Sequence, residues 1–404
     1  MCNYQRTLDY LFNRLPMYQQ KGLSAYKSDI KRITYASREM SNPHSKFKKI
    51  HIAGTNGKGS TAHMLASVLQ ESGYKTGIYS SPHLKDFRER IKINGELIDK
   101  DYVIKFVNDN KALFENYDLS FFEMTVLLAF NFFNDKKVDI AIVEAGLGGR
   151  LDSTNIITPI LSIITNIGFD HTDILGDSLI EIANEKAGII KKNIPVIVGD
   201  QKKEIANVFL DKAKKMNAQL NFVNHNNNYP SDLGGNYQKL NASTAIEAIN
   251  VLNDMKWNIS TENIKKGLSK VIKNTSFLGR WQIVSKEPLI IYDIAHNEDA
   301  LIKVIKNISE ISFSELHIVF GMSREKKIKN ILSCLPKKAT YYFCQANIER
   351  SLDVMDLYLN AKKLELNGSV FKNTNTALCQ AKKNANKNDL ILVTGSAFIV
   401  SEVV

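Results

Sequence analysis

Cysteine is scarce in this chain: four in 404 residues, Cys2, Cys334, Cys344 and Cys379, with no Cys-x-x-Cys and no zinc-ligand spacing. That scarcity excludes a disulfide-stapled scaffold and a thiolate metal centre, and leaves reduced thiols as the expectation. No apolar run approaches the length of a membrane span, and nothing at the N-terminus resembles a signal peptide. A cytoplasmic location with no membrane partner is therefore expected. A long basic block or tail is also missing. The net charge of +11 comes from Lys and Arg scattered over surface-type helices, which suits solubility and attraction for small anions better than a nucleic-acid partner. No internal repeat or low-complexity segment stands out.

The hydrophobic content of 44% and charged content of 24% are those of a globular protein, and the length suffices for two domains with separate cores. The rest is organised around residues 51–61, His-Ile-Ala-Gly-Thr-Asn-Gly-Lys-Gly-Ser-Thr. The run at 47–53 ends in apolar residues and suits a buried strand. After the glycines, Met64, Leu65, Val68 and Leu69 recur at helical spacing until Gly73. Strand, glycine-rich turn and helix bring backbone N–H groups and a helix N-terminus to bear on a phosphate. Lys58 supplies a cation there, and Ser60 and Thr61 supply hydroxyls. The usual P-loop spacing is not met, because Gly59 stands where Ser or Thr follows the lysine. A generic GTPase or kinase loop is thus a poor match, and the alternative is a glycine-rich turn without a ligand.

Residues 1–46 read as helical, with a stripe of Leu8, Leu11, Phe12 and Leu15 broken at Pro16, and a second helix suggested by Ile30 and Ile33. A short strand at 75–79 leads into Ser80-Ser81-Pro82-His83-Leu84. An alternating strand with an Asn94-Gly95 turn follows. Helices are expected near 100–115 and 121–134, the second largely buried. Core strands at 138–143 and 160–164 end in Glu144-Ala-Gly-Leu-Gly-Gly-Arg-Leu-Asp152 and Thr165-Asn-Ile-Gly-Phe-Asp-His171. Both deliver polar groups at strand carboxyl ends, where open α/β sheets place ligands. A helix from about Leu179 carries Glu185 and Lys186 and stops near Gly188. A strand at 194–198 and a helix continue the alternation, and 224–239, rich in Asn and Gly, reads as irregular. A boundary falls near 274–282. Beyond it, strands near 289–292, 316–320, 340–343, 369–371 and 390–394 with helices between them predict a second, Rossmann-like open sheet. No second Gly-x-Gly-x-x-Gly is present, so a separate dinucleotide site is not expected there. The expected fold class is α/β: a nucleotide-loop domain with a mostly parallel sheet at 1–276, and a smaller Rossmann-like domain at 277–404.

Six motifs in order, Ala-Gly-Thr-Asn-Gly-Lys-Gly-Ser, Ser-Ser-Pro-His-Leu, Glu-Ala-Gly-Leu-Gly-Gly-Arg-Leu-Asp, Asp-His, Glu-Lys-Ala-Gly-Ile and Asp-x-Ala-His-Asn, resemble the folylpolyglutamate synthase/dihydrofolate synthase family of the Mur ligase superfamily. The resemblance implies an ATP-dependent amide ligase. ATP phosphorylates a carboxylate to an acyl phosphate, and the amine of L-glutamate displaces phosphate. The chemistry needs charge neutralisation between two anions, which metal ions and lysines in a water-poor cleft supply. By resemblance, Thr55, Asn56, Gly57, Lys58, Gly59 and Ser60 cradle the phosphates, and Ser81, Glu144 and His171 hold Mg²⁺. Lys186 matches a lysine that family members carry as a carbamate, an added anionic ligand. Lys58, Lys186 and His171 are the expected catalytic groups. Asn241, Arg280, Asp293 and His296 match positions holding the adenosine part of ATP, in a cleft whose closure accompanies catalysis. Phe121, Phe122 and Glu123, with Leu151, Asp152 and Ser153, match segments touching the pterin substrate. The bland alternatives are strand-end hydrogen bonds for Glu144 and His171, a solvated lysine at 186, a boundary turn and capped helix start at 280–296, and core packing for the two phenylalanines.

The expected substrates are L-glutamate, a reduced folate and dihydropteroate, and a monomer is expected. The stretch at 26–33, Tyr-Lys-Ser-Asp-Ile-Lys-Arg-Ile, departs from the Ile-Asp-Leu-Gly-Leu-Glu-Arg type of some bifunctional relatives, a segment that helps bind dihydropteroate; both activities are nonetheless expected. Two other classes compete. A Mur-type ligase acting on a UDP-muramoyl precursor would carry a Gly-x-x-Gly-Lys-Thr-Thr/Ser loop and a UDP-binding domain before residue 47. A non-enzymatic nucleotide-binding regulator would leave Glu144, His171 and Lys186 unexplained.

Overall fold

The computed structural model describes residues 3–13, 29–200, 202–225, 229–324 and 326–404. Cys2, Leu15, Pro16 and the stretch 26–28 lie outside them. The chain forms two compact units: Met1–Asp232 with Gln238–Ser276, and Leu233–Tyr237 with Phe277–Val404.

The first unit is built on an eight-stranded sheet. Its strands are β1 (Lys48–Ala53), β2 (Thr76–Tyr79), β3 (Ile91–Ile93), β4 (Glu96–Leu97), β5 (Ile140–Glu144), β6 (Leu161–Ile164), β7 (Val196–Val198) and β8 (Leu220–Phe222), in the order β4-β3-β2-β5-β1-β6-β7-β8. All pairings from β2 to β8 are parallel, and only the β3 and β4 edge is antiparallel. Strands covered on both faces must be apolar throughout; β5 and β6 are buried at every residue. The chain runs from β1 to β2 on one side and later from β6 to β8 on the other. The order therefore switches direction at β1, the place where a crevice opens at the strand carboxyl ends. The register sets Ile52 opposite Glu144 and Ala53 opposite Ile164.

Helix Lys58–Glu71 follows β1 directly and is buried continuously from Ser60 to Leu69. It packs against the helices Gln238–Asp254 and Thr261–Leu268 as well as against the sheet, so it needs no polar face. Helix Phe121–Asp135 is likewise buried along most of its length. The helix carrying Lys186 spans Leu179–Ala187, starts at a Ser178/Glu181 capping box and ends at Gly188.

The second unit holds a six-stranded sheet of β9 (Gln282–Lys286), β10 (Leu289–Tyr292), β11 (Leu316–Phe320), β12 (Thr340–Phe343), β13 (Gly368–Val370) and β14 (Leu390–Thr394), in the order β13-β12-β11-β14-β10-β9. It is parallel except for β9, which pairs antiparallel with β10. The sequence does not reveal β9 or β8. Ile283 and Val284 of β9 are about half exposed (53% and 48%), and β8 is three half-buried residues, so neither carries a burial pattern that periodicity can detect. The region expected to be irregular gives way to helix at Gln238.

Candidate active site

The loop between β1 and helix Lys58–Glu71 is fastened to the end of β6. Thr55 N–H donates to Asn166 O at 2.9 Å, Asn56 N–H to Asn166 Oδ1 at 2.6 Å, and the Thr165 hydroxyl to Asn56 O at 2.7 Å. The Thr55 hydroxyl donates to Gly168 O and accepts from Gly168 N–H, each at 3.0 Å. Gly57 sits at the helix N-cap with φ +84°, and a Cβ there would come 2.3 Å from Asn241 Oδ1. Only glycine takes that conformation and that contact cheaply. Asn241 thus lies directly against the loop. The helix begins at Lys58, and the remaining loop N–H groups and the positive end of the helix make an anion cradle.

Two lysines share one acceptor in this loop. Lys58 Nζ donates to Gly54 O at 3.0 Å and to Thr55 O at 3.2 Å; Lys186 Nζ donates to the same Gly54 O at 3.0 Å. Lys186 is 3% exposed. Burial, reinforced by the Lys58 charge and opposed by Asp170, Asp152 and Glu185, brings its amine down to about 7. Lys186 is therefore a buried amine at the nucleotide loop rather than a solvated helix lysine. Its helix is tied to the turn after β5 by the Arg150–Glu185 ion pair at 2.7 Å and by Arg150 N–H donating to Glu185 O at 2.8 Å.

Glu144 ends β5, is 4% exposed, and accepts from Ser81 N–H at 3.4 Å through Oε2. The ends of β2 and β5 therefore bring Ser81 and Glu144 together. His171 has φ +52° at the N-cap of helix Thr172–Leu175; its backbone N–H donates to Asp170 Oδ1 at 3.0 Å, and its Nε2 lies 3.8 Å from Asp170 Oδ2. Among the described residues no group of three or more His, Cys, Asp or Glu side chains is placed to hold a metal. The expected set contains only two such residues, Glu144 and His171, with a hydroxyl and a modified lysine beside them. A buried carboxylate next to a serine is a hard oxygen pair that suits Mg²⁺.

Beyond Glu144 the chain turns sharply. Asp152 is buried; its Oδ2 accepts from Leu147 N–H at 2.8 Å and its Oδ1 from Thr154 N–H at 2.9 Å. Burial pushes its carboxyl up, against those hydrogen bonds. Leu151 and Ser153 flank it, half-buried. Phe122 is half-buried against Gly146, where a Cβ would come 2.5 Å from its Cζ. Phe121 lies in the core with Phe12 and Phe87, at ring distances of 5.3 and 6.0 Å. Glu123 is buried, and its Oε2 accepts from Ser120 N–H and Oγ–H, both at 2.7 Å, closing the capping box of its helix.

In the second unit Asp293 follows β10 and is 3% exposed. Its Oδ2 accepts from the Tyr237 hydroxyl at 2.6 Å and from Trp281 N–H at 2.8 Å, and its Oδ1 from Ala295 N–H at 2.9 Å. Burial raises its carboxyl, and the Arg280 cation is the largest opposing influence. His296 Nδ1 lies 2.9 Å from Ile294 O. Arg280 thus acts on Asp293 through its charge, Ile294 N–H donates to Gly279 O at 3.0 Å, and His296 follows Asp293 by three residues. Sequence reasoning did not single out Asn166 and Thr165 as site residues. They stand at the end of an apolar strand, which is the one signal that could have found them; their contacts with residues 55 and 56 depend on the pairing of β1 with β6.

A phosphate-binding loop at the switch point of a parallel sheet, a buried lysine on the same carbonyl, and a separate parallel-sheet unit define the class of Mur ligases. The chain matches the family model described as the Mur ligase middle domain over residues 52–266 and the one described as the Mur ligase glutamate ligase domain over 279–397. Within that class the chain belongs to the dihydrofolate synthase/folylpolyglutamate synthase family. It is 36% identical over 374 residues to the dihydrofolate synthase/folylpolyglutamate synthase of Buchnera aphidicola subsp. Schizaphis graminum, covering 87% of this chain and 86% of that protein. A longer relative from Haloferax volcanii is 31% identical over 90% of this chain, which spans 46% of its length. Among solved structures, E. coli FolC in complex with DHPP and ADP superposes with a TM-score of 0.87 at 28% identity, over 99% of this chain and 96% of that one. A bifunctional folylpolyglutamate synthase/dihydrofolate synthase with Mn, AMPPNP and L-glutamate bound gives 0.85 at 28% identity, over 99% and 97%. Among the described residues no helix is long and apolar enough to cross a membrane.

Proposed function

We propose that this chain joins L-glutamate to folate acceptors at the expense of ATP, making folylpolyglutamates and, from dihydropteroate, dihydrofolate. The observation that carries the reading is the pair of lysines on Gly54 O, beside a helix N-terminus and a buried carboxylate, in a chain of this family. The acceptor carboxylate attacks the γ-phosphorus of ATP and ADP leaves. The glutamate amine then attacks the acyl carbon of the acyl phosphate, phosphate leaves with the bonding pair, and the amine gives up its proton.

The residues have distinct parts in this reading. Thr55 to Ser60 receive the phosphates on backbone N–H groups and hydroxyls, and Lys58 turns from its loop carbonyls toward the charge that develops between the anions. Ser81, Glu144 and His171, with Lys186 as its carbamate, would hold Mg²⁺, which when bound supplies charge neutralisation for the transferring phosphoryl group. Asn241 stands against the loop, and Arg280, Asp293 and His296 receive the adenosine part. Phe122, with Leu151, Asp152 and Ser153, forms the pterin end; Phe121 and Glu123 act from behind, as core and cap. The assignment divides at 276/277, the nucleotide loop belonging to the first part. The reading is of a monomeric cytoplasmic enzyme; free thiols at Cys334, Cys344 and Cys379 suit a reducing compartment. Purified chain supplied with ATP, Mg²⁺ and L-glutamate should release phosphate with tetrahydrofolate or dihydropteroate and not with a UDP-muramoyl precursor. Turnover confined to the muramoyl compound would replace this reading with its competitor.

A further inference from the structure

One buried polar chain in the first unit ends on Asp152 and begins with two residues that have no role in the proposed reaction, His51 and Thr154. It begins on β1 at His51, three residues before Gly54, where Nε2 lies 2.8 Å from Thr154 Oγ1. His51 and Thr154 are both fully buried. The Thr154 hydroxyl donates to Asp152 Oδ1, which also accepts the Thr154 N–H at 2.9 Å. Asp152 Oδ2 accepts from Leu147 N–H at 2.8 Å, and the Gly146 backbone adds a further hydrogen bond.

A threonine hydroxyl has one proton. Backbone N–H groups donate to both Asp152 oxygens, which favours the acceptor-only carboxylate against the burial that pushes the carboxyl up, and with Asp152 ionised that proton is committed to Oδ1. His51 must then donate through Nε2, which fixes it as the Nε2–H tautomer. Its Nδ1 is buried and has no hydrogen-bond partner; an imidazolium would leave a second, unsatisfied buried donor there, so the ring is held neutral. The hydrogen bonds run in one direction, from His51 to Thr154 to Asp152, and end on the turn that follows Glu144.

We propose that His51 and Thr154 are positioning residues for the folate acceptor: they fix Asp152, and through Asp152 the Gly146–Leu147 turn against which the Phe122 ring lies. This rests on the reading of Phe122 and residues 151–153 as the pterin end of the site. The Phe122 ring fills the space a side chain on Gly146 would occupy, since a Cβ there would come 2.5 Å from Phe122 Cζ, so a shift of the turn changes the ring's support. The hydrogen bonds that fasten the nucleotide loop run instead to Thr165, Asn166 and Gly168. Loss of the chain should therefore be felt by the acceptor and not by ATP.

The test is steady-state kinetics on the full-length Thr154→Val and Thr154→Ser variants, with ATP, L-glutamate and each folate acceptor. Thr154→Val strands a buried donor on His51 and removes one from Asp152, so the acceptor KM should rise roughly tenfold. The ATP KM should stay at the wild-type value, and Thr154→Ser should restore the acceptor KM. His51→Leu should copy the valine variant and His51→Gln, which keeps a donor, should not. An unchanged acceptor KM in a folded Thr154→Val protein overturns the proposal, as does an equal rise in both constants, the mark of general loosening. Should neither apolar variant fold, hydrogen exchange in the wild type decides, because the Leu147 and Thr154 amides must be protected; rapid exchange there overturns it. A wild type inactive with both folate acceptors removes the functional reading and this proposal together, whereas an active wild type with an unaffected valine variant removes the proposal alone.

Discussion

Two ammonium groups on the one Gly54 carbonyl repel each other, and the more buried of them yields. Lys186 has an amine at about 7, so near neutral pH a large share of it is unprotonated. Only the free amine adds to CO₂: the Nζ lone pair forms the N–C bond, a C=O π pair moves to oxygen, and the ammonium proton so created leaves. The product is an anion facing Lys58 instead of a second cation beside it, which turns repulsion into attraction. Lys186 is accordingly expected to be carbamylated. Labelled bicarbonate should give a carbamate carbon signal that Lys186→Ala lacks, and that variant should be inactive until short carboxylic acids partly restore it. Full activity after rigorous CO₂ removal would contradict the assignment. For Lys58, replacement by alanine should cost on the order of a hundred- to a thousandfold in turnover with the circular dichroism unchanged. Near-normal turnover in that folded variant would take Lys58 out of the mechanism.

At the scale of elements, β1 carries both the nucleotide loop and a pH dependence. His44, in the turn Pro43–Ser45 just before β1, and His51 within it are held neutral. Burial, aided by Lys49, lowers His44 to about 4, and burial, aided by Lys191, lowers His51 to about 3. In the unfolded chain both bind protons below 6.5. Between that value and about 4 the unfolded state therefore holds more protons than the folded one, and stability rises with pH across this window. Melting temperature should fall from pH 7 to pH 5, and the fall should be shallower in His51→Gln. An identical pH slope in the variant would show that His51 is not a source of it.

The same strand shows what a sequence makes visible. β1, β5 and β6 are legible because strands buried on both faces are unbroken apolar runs, and the loop is legible because its glycines and lysine sit between a strand and a helix. β9 is not, since an edge strand with Ile283 and Val284 exposed has nothing to alternate against. Nor is the work of Asn166, whose side chain meets the backbone of a residue 110 positions away; local pattern cannot carry that information, and only the β1–β6 pairing does. Resemblance to a motif points to Lys186, while the physical ground for its chemistry, a shared carbonyl and a buried amine, is visible only in the fold. Glu123 shows the opposite case: a motif position whose carboxylate closes a helix cap.

For the whole molecule, one unit holds a glycine-rich loop at a helix N-terminus, a buried carboxylate and a buried lysine. In the other, Asp293 and His296 follow β10, and Arg280, just before β9, acts electrostatically on Asp293. In the proposed function these parts serve one reaction needing three substrates at once. Its most direct measurement is phosphate release by the purified full chain with ATP and Mg²⁺, each of L-glutamate and the folate acceptor being omitted in turn, with incorporation of labelled glutamate followed in parallel. Phosphate is expected only when both are present, one phosphate for each glutamate incorporated. Phosphate release that proceeds without L-glutamate or without a pteroate compound, or glutamate joined instead to a UDP-muramoyl precursor, would contradict that function.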